Sequence, residues 1–499
     1  MNSKMLINAV DPEEYRVAII QDGLLEGFYV ETASTEQRIG NIYRGVVERI
    51  EPSLQACFVN IGTEKNGFLQ GSEIHQEYYV TELHGEADQP SPPIQKIVKK
   101  GQELLVQVTK EMPGRKGPHL TTYLSLASRH LVLTPGRPTA GVSKKIEDEK
   151  ERHRLKEIMR QFKLPEGIGY IIRTAALTQN KKDLSRDLNR LLRMWKNIKK
   201  NAKDAPPLSL IHKEEDVCLR TLRDYFTSEV NEVLVDDKEI HGKVREYMKI
   251  ISPRHQRRVV LYKGKRPIFA HYGIEEQIEA IYASEVRLKS GGYVVINPTE
   301  ALISIDVNSG RGRVGKTVEG TAFKTNMEAS LEIARQLRLR DMGGLVVIDF
   351  IDMKDSKHVR EVEKVLREEI KKDRAKIDTS HLSKFGLLEL SRQRLRPSIE
   401  SRRYQTCSHC QGRGLVQSVE SSSVAFLRQI WMGASREAVT QVKGVLPLEV
   451  ANYLQNRKRK ELAQLETRYG VSIVLQGDPW LAPGEGKLEF VTAQGGPEA

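Results

Sequence analysis

Cysteine is scarce, with four in 499 residues, which excludes a disulfide-stapled mini-protein and fits a reducing compartment. Long apolar runs are missing too: no stretch of ~18 apolar residues occurs, so no helix is expected to span a bilayer. The opening segment MNSKMLINAVDPEEY carries acids where a secretory signal needs an apolar core, and the expected location is the cytoplasm. There is no apolar deficit of the kind that leaves a chain disordered, since 39% of residues are hydrophobic and 29% charged, with mean hydropathy −0.46. At roughly 100–200 residues per domain the chain holds about two to five folding units. What it has in excess is positive charge: 79 Lys and Arg against 66 Asp and Glu give +13 and a pI near 9.3. That balance favours a polyanionic partner such as nucleic acid, although a merely basic or ribosome-associated enzyme has the same composition.

Hydrophobic periodicity divides the chain. From Lys4 to Glu36 short strands alternate with turns around Asp22-Gly23 in a segment too small to stand alone. From Arg38 to Leu126 short strands with glycines at their bends, among them Ala56 to Gly62, Gly67 to Leu69 and Leu104 to Val108, suit a five-stranded OB barrel with a Pro-rich loop at Gln89 to Pro93. A strongly basic stretch follows, with helices predicted over Lys144 to Phe162 and Lys182 to Lys200 around one apolar strand, Gly169 to Thr174. Residues from about Leu208 to Ala280 return to mixed α/β patterning and could complete the sheet begun by the first segment, which would make the units between them insertions. The spacing then predicts strands at Tyr293 to Ile296, Ala301 to Asp306 and Gly344 to Asp349, with helical spacing of Met327, Leu331, Ala334 and Leu337 between the last two. Strand, helix, strand implies a parallel crossover. Beyond Glu400 a Cys-containing turn leads to a smaller unit, with helices at Ser423 to Met432 and Leu448 to Tyr469 and a strand at Ser472 to Leu475.

Three groups of residues can carry chemistry. Asp306 and Asp349 each end an apolar strand of the crossover, and ligands of open α/β sheets bind at the carboxyl ends of strands. Two carboxylates there suit Mg²⁺, which takes hard oxygen ligands and usually only one or two from protein. Asn308 would point to the same side, and the run Asn308-Ser309-Gly310-Arg311-Gly312-Arg313 would bring backbone and guanidinium close to a phosphate. A lone strand-end aspartate is more often a cap or turn former; a pair on neighbouring strands, with Asp352 nearby, brings the metal reading level with that one. Cys407-Ser408-His409-Cys410 with the following glycines has the spacing of a zinc knuckle, but a structural site wants four ligands. Two chains each lending Cys407 and Cys410 would supply them; a redox pair or idle thiols are the alternatives. Phe58 and Phe68 could stack on bases, with Lys110, Arg115 and Lys116 tracking the backbone, and a core role for both rings is equally open. Arg173 and Thr174 could grip a terminal phosphate or lie solvated.

Taken in order, Ser304 to Ser309, Ala334 to Asp341, Val347 to Met353 and Cys407 to Cys410, with Asn41 to Gly45 and Glu51 to Ala56 in the barrel, resemble the bacterial ribonuclease E/G family over nearly the whole chain. Without a long Pro- and Arg-rich extension the chain looks like the short form. The resemblance implies a Mg²⁺-dependent endoribonuclease acting on single-stranded RNA in rRNA and mRNA processing and decay, with a preference for 5′-monophosphorylated ends. The alternative is a non-catalytic RNA-binding scaffold of the same fold. It implies an α/β multidomain fold: an RNase H-like subdomain (1–37 and 208–280) split by an S1-type OB barrel (38–127) and a 5′-sensor (128–207), then a DNase I-like catalytic subdomain (281–400), a zinc link (401–418) and a small C-terminal domain (419–499). It assigns magnesium to Asp306 and Asp349, support to Asn308, base contacts to Phe58 and Phe68 with Lys116, the 5′-phosphate pocket to Arg173, Thr174, Val132 and Lys376, and a zinc shared between two chains to Cys407 and Cys410. A homodimer or tetramer is expected. Two positions depart from one branch of the family: Ser128 stands where it has glycine, and Lys376 where it has arginine, whose bidentate fork a lysine cannot form.

Overall fold

The computed structural model describes residues 2–32, 38–80, 92–111, 116–310, 317–395, 404, 406–482, 484–492 and 497–498. Arg115 and the run Arg311-Gly312-Arg313 lie outside them. The chain divides into two compact units, Met1–Arg402 and Arg403–Ala499.

The first unit is built around a split sheet. Strand Ser3–Asn8 pairs antiparallel with Glu14–Gln21 and parallel with Val230–Val235, where Met5 lies opposite Val233. Val259–Leu261 and Leu24–Thr32 form its edges. The N-terminal hairpin therefore gains its remaining partners from residues more than 200 positions away, and two whole sheets are inserted between them. One is a barrel, closed by five strands: Ile42–Glu51, Ala56–Asn60, Gly67–Gln70, His119–Thr121 and Glu103–Lys110, the last returning to the first. Val47, Cys57, Val59, Leu69, Val106 and Leu120 fill it. The other is a four-stranded sheet, Ala140–Val142, Ile168–Ile172, Leu131–Pro135 and Leu126–Ala127, covered by helices Glu149–Arg160 and Lys181–Asp204. Periodicity finds only one of those four strands; two of the others are only two and three residues long. The first helix starts at Glu149 rather than Lys144, where the Asp148 side chain accepts the Lys150 N–H and caps it.

A six-stranded sheet follows, in the order Glu285–Arg287, Tyr293–Pro298, Leu302–Asn308, Gly344–Asp349, Leu387–Arg392, Ile377–Thr379. Its central pair, Leu302–Asn308 and Gly344–Asp349, is parallel and the other pairs are antiparallel. The crossover is the helix Val318–Arg340, which packs Ala329, Ile333 and Leu337 on Ile305, Val346 and Ile348. With a period of two along each strand, Ile303, Ile305 and Val307 face that core while Ser304, Asp306 and Asn308 face away from it.

The Ala334 to Asp341 motif serves attachment. Arg335 donates to the Leu25 carbonyl at 2.9 Å, Arg338 pairs with Glu26 at 2.8 Å, and Arg340, 1% exposed, reaches the Ala280 carbonyl at 3.2 Å. Three guanidiniums on one helix thus tie the six-stranded sheet to the split sheet. Arg392 closes the same region, bonded to Asp341 and Asp373 at 2.9 Å each.

The second unit, described by itself, is a sheet in the order Ser472–Asp478, Val439–Pro447, Lys487–Thr492, Pro497–Glu498 with helices Val419–Ala434, Leu448–Arg457 and Arg459–Tyr469. The single helix expected over Leu448 to Tyr469 is broken at Lys458, whose backbone (φ −109°, ψ 20°) leaves the helical region.

One buried side chain fixes the segment after Asp349. Asn326, fully buried, donates its amide to the Ile351 carbonyl at 2.8 Å and accepts the Ile351 N–H at 3.1 Å, replacing a strand partner where the strand ends. Asn326→Ala orphans both groups, and a loss of about 1–3 kcal/mol is expected in urea unfolding.

Candidate functional site

Parallel register sets Asp306 directly opposite Asp349. Both are exposed and both face off the sheet surface that the crossover helix leaves bare. Asp349 ends its strand, whereas Asp306 lies two residues before the end of its own, so the pair stands on the open face rather than in a crevice beyond the strand ends. Asn308 follows on the same side and donates its Nδ2 to Asp306 Oδ2 at 2.8 Å, which leaves its amide oxygen available. Burial and the like charges of Asp306 and Asp352 push the Asp349 carboxyl above its ordinary value. Gly386, at φ +76°, crowds this place: a β-carbon there would lie 3.2 Å from Asp352 Oδ1 and 4.0 Å from Asp349 Oδ1. No group of three or more His, Cys, Asp and Glu stands ready for a metal among the described residues. The donor set is two carboxylates and one amide, without a basic partner among the described residues. That fits a hard cation completing its shell with water and phosphate oxygens, and not a closed protein cage.

On the barrel, the alternatives for Phe58 and Phe68 are resolved by parity. Their neighbours Cys57, Val59 and Leu69 are fully buried, and the two rings, opposite each other in register, face outward with centroids 5.9 Å apart, edge to face. The row continues across the strands. Arg49 lies opposite Phe58 with its guanidinium 6.0 Å from the ring, His119 opposite Phe68 at 5.2 Å, and Lys110 opposite His119. Lys116 is exposed three residues before His119. Cation, two phenyl rings, imidazole and cation form one stripe, of which sequence reasoning missed Arg49 and His119, because cross-strand register is not written in a single strand's pattern.

Arg173 follows strand Ile168–Ile172 and is not freely solvated. It donates to the Ser128 carbonyl at 2.6 Å and to Asp224 Oδ1 at 2.7 Å, leaving most of its five N–H groups directed elsewhere. Thr174 is exposed beside it, and Val132 is partly exposed on the neighbouring strand. The Ser128 hydroxyl bonds to Asp187 and the residue is 1% exposed, so the side chain that replaces glycine is directed into the protein. Lys376 is not brought to Arg173 by any contact found; it is 74% exposed and pairs with Asp378 at 3.1 Å. Arg374 is the residue tied in: it donates to the Asp224 carbonyl and lies 3.9 Å from the Tyr225 ring. Lys145 bonds the Asp373 carbonyl at 2.7 Å, which docks this segment against the basic sheet.

In the second unit Cys407 and Cys410 share one turn, closed by the Gln411 N–H on the Cys407 carbonyl at 2.8 Å. Backbone N–H groups of Gly414 and Gly412 lower the Cys410 thiol below its ordinary value. Burial does the opposite elsewhere, pushing Cys57 up to about 12 and Cys218 up as well. Of the four cysteines, Cys407 and Cys410 are the two that are not buried.

Residues 125–395 match the Ribonuclease E/G family, residues 36–122 the S1 RNA binding domain and residues 406–490 the RNase E/G, Thioredoxin-like domain. The chain belongs to the ribonuclease E/G family. It is similar to ribonuclease E of Haemophilus influenzae (46% identical over 95% of this chain and 50% of the relative) and of Escherichia coli (45%, over 95% and 44%), and to ribonuclease G of Escherichia coli (36%, over 96% and 98%). It therefore spans about half the length of those two ribonuclease E relatives and nearly all of that ribonuclease G.

Asp224 is the hinge of the Arg173 cluster. Burial would raise its carboxyl, but the Arg223 and Arg173 guanidiniums hold it down at about 2. A depressed acid stabilises the fold above its unfolded value near 4 and loses that contribution as pH falls through 2. Asp224→Asn is expected to cost about 2–3 kcal/mol at pH 7, chiefly by taking the carboxylate from Arg173, since Arg223 keeps Glu214 and Glu215. In urea unfolding the gap from wild type should narrow as pH is lowered below 4.

Proposed function

We propose that this protein is a Mg²⁺-dependent endoribonuclease that cuts single-stranded RNA and prefers a 5′-monophosphorylated end. The observation that carries this reading is the in-register pair Asp306 and Asp349 on an open sheet face, in a chain that also bears an S1 RNA binding domain. The relatives named above are ribonucleases, and a scaffold without turnover would have no use for two adjacent uncompensated carboxylates.

In this reading Asp306 and Asp349 hold the cation, while Asn308 fixes the Asp306 carboxylate and offers an amide oxygen to a ligand or water. A divalent cation so held supplies positive charge against the charge developing on the phosphodiester and lowers the pKa of water. The barrel stripe of Arg49, Phe58, Phe68, His119 and Lys110 stacks bases and tracks phosphates, with Lys116 beside it. Arg173, Thr174 and Val132 receive the 5′-phosphate, and Asp224 aims the Arg173 guanidinium rather than competing for it. Lys376, solvated and paired with Asp378, contributes charge without a fixed fork, so the grip on the 5′-end is weaker than an arginine there would give. Within this reading the split sheet is the RNase H-like subdomain and the six-stranded sheet the DNase I-like one. Cys407 and Cys410 of two chains share one Zn²⁺, so that the link forms only in a dimer, whether or not dimers pair further.

The test is cleavage of labelled single-stranded RNA with Mg²⁺ and with EDTA. Asp306→Asn or Asp349→Asn should abolish cleavage while RNA affinity survives, and Phe58→Ala or Phe68→Ala should weaken affinity by about 1–3 kcal/mol per lost stack. Full Mg²⁺-dependent turnover in either aspartate variant would refute the assignment.

A further inference from the structure

One large aromatic at the carboxylate rim has no part in the reading above. Phe385 is 69% exposed. Single exposed apolar residues are ordinary on protein surfaces, and what distinguishes this one is where it is held and how firmly. It stands at the tip of a tight turn leading into strand Leu387–Arg392, whose first residue is the register partner of Asp349. Ser383 organises the turn. Its N–H donates to the Leu387 carbonyl at 2.8 Å and its carbonyl accepts the Gly386 N–H at 3.1 Å, while its hydroxyl oxygen accepts the Phe385 N–H at 3.2 Å and the Leu387 N–H at 3.3 Å. The Gly386 carbonyl accepts the Phe350 N–H at 3.1 Å, which pins the turn to the end of the Asp349 strand.

Gly386 is also the residue whose absent β-carbon faces Asp352 and Asp349 at 3.2 and 4.0 Å. The backbone that presents Phe385 is therefore one residue from the carboxylates. Lys384 adds a cation, its Nζ 5.0 Å from the Phe385 ring centroid. An exposed ring on a hydrogen-bonded turn loses little entropy on binding. A ring with a cation beside it, next to a site for phosphodiester chemistry, has the chemistry of a base platform with a phosphate contact.

We propose that Phe385 and Lys384 form a nucleotide subsite of the cleavage centre: the ring stacks on the base of a nucleotide beside the scissile phosphodiester, and the ammonium pairs with an adjacent phosphate. This rests on the endoribonuclease reading and adds to it a stacking contact at the metal-side carboxylates, on a different sheet from the barrel stripe. The subsite selects for an unpaired base at one position near the cut and, because every base has a π-face, reads its identity only weakly.

The experiment is a double-mutant cycle on the full-length chain. Wild type, Phe385→Ala and Phe385→Tyr are compared on a short single-stranded RNA and on the same RNA with one abasic nucleotide moved through each position flanking the cut. Phe385→Ala should lower kcat/KM by roughly 5- to 150-fold, and Phe385→Tyr, which keeps the ring, should restore most of it. One abasic position should lower wild type by a similar factor and leave Phe385→Ala unchanged. The same cycle is run by equilibrium binding in an Asp349→Asn background. If wild type does not cut RNA the nuclease reading fails, and the affinity cycle still decides the subsite. Equal losses from Phe385→Ala on intact and abasic RNA at every position, no loss at all, or a changed sedimentation coefficient with abasic sensitivity intact would overturn the proposal, the last pointing to a protein partner over this ring.

Discussion

Two like charges held side by side are the constraint from which the rest of this site follows. Asp306 and Asp349 are opposite residues of a parallel strand pair, and nothing on their own strands offsets their repulsion beyond one amide from Asn308. The arrangement persists because the strands are anchored from the other face, where Ile305 and Ile348 are buried under the crossover helix. Burial of several such side chains, at about 1.5–3 kcal/mol each, exceeds the repulsion of two solvated carboxylates. The segment after Asp349 is then held from the same helix: Asn326 takes both polar groups of Ile351, and Glu319 accepts the Lys354 and Asp355 N–H groups at 3.0 and 3.2 Å. Those backbone bonds, with His358, hold the Glu319 carboxyl at about 2. The chain keeps its acids in register before any ligand arrives, which is the preorganisation that electrostatic catalysis requires.

Arginine does the long-range assembly. Arg335, Arg338 and Arg340 join the six-stranded sheet to the split sheet, and at Asp224 the carboxylate takes Arg173 from the basic sheet and Arg223 from its own helix, while the backbone carbonyl takes Arg374 from the segment before Ile377–Thr379. One residue that takes Arg173 on its carboxylate and Arg374 on its backbone carbonyl makes the position of Arg173 depend on that of the segment carrying Arg374. Several of the chain's arginines are thus structural, and its basic character alone is a weaker argument for nucleic acid than the barrel stripe.

What could be read in the sequence was what depends on period and order. The apolar runs before Asp306 and Asp349, with a helical pattern between them, required a parallel crossover, and the crossover placed the two acids together. The Cys407 to Cys410 spacing with its following glycines announced the turn that holds both thiols. What could not be read depends on register between distant strands. Whether Phe58 looked in or out, and that Arg49 and His119 flank the ring pair, follows from pairings no single strand encodes. Asp224, Arg374 and Phe385 sit in segments with ordinary local patterns, and each gains its place from partners far away in the chain: Asp224 from Arg173, Arg374 from Tyr225, and Phe385 from the Phe350 N–H that fixes its turn. Lys376 carries the converse lesson: the resemblance gave it a place in the 5′-phosphate pocket, and its side chain is exposed and paired with Asp378.

The proposed divalent cation between Asp306 and Asp349 is tested most directly by anomalous diffraction from crystals of the full chain soaked in Mn²⁺, which substitutes for Mg²⁺ on hard oxygen ligands. One strong peak is expected within coordination distance of both carboxylates, about 2.0–2.2 Å from an oxygen of each, and its loss in Asp349→Asn crystals of the same form. A well-occupied Mn²⁺ elsewhere in the first unit with none between these two residues, or a peak that survives Asp349→Asn, would contradict it.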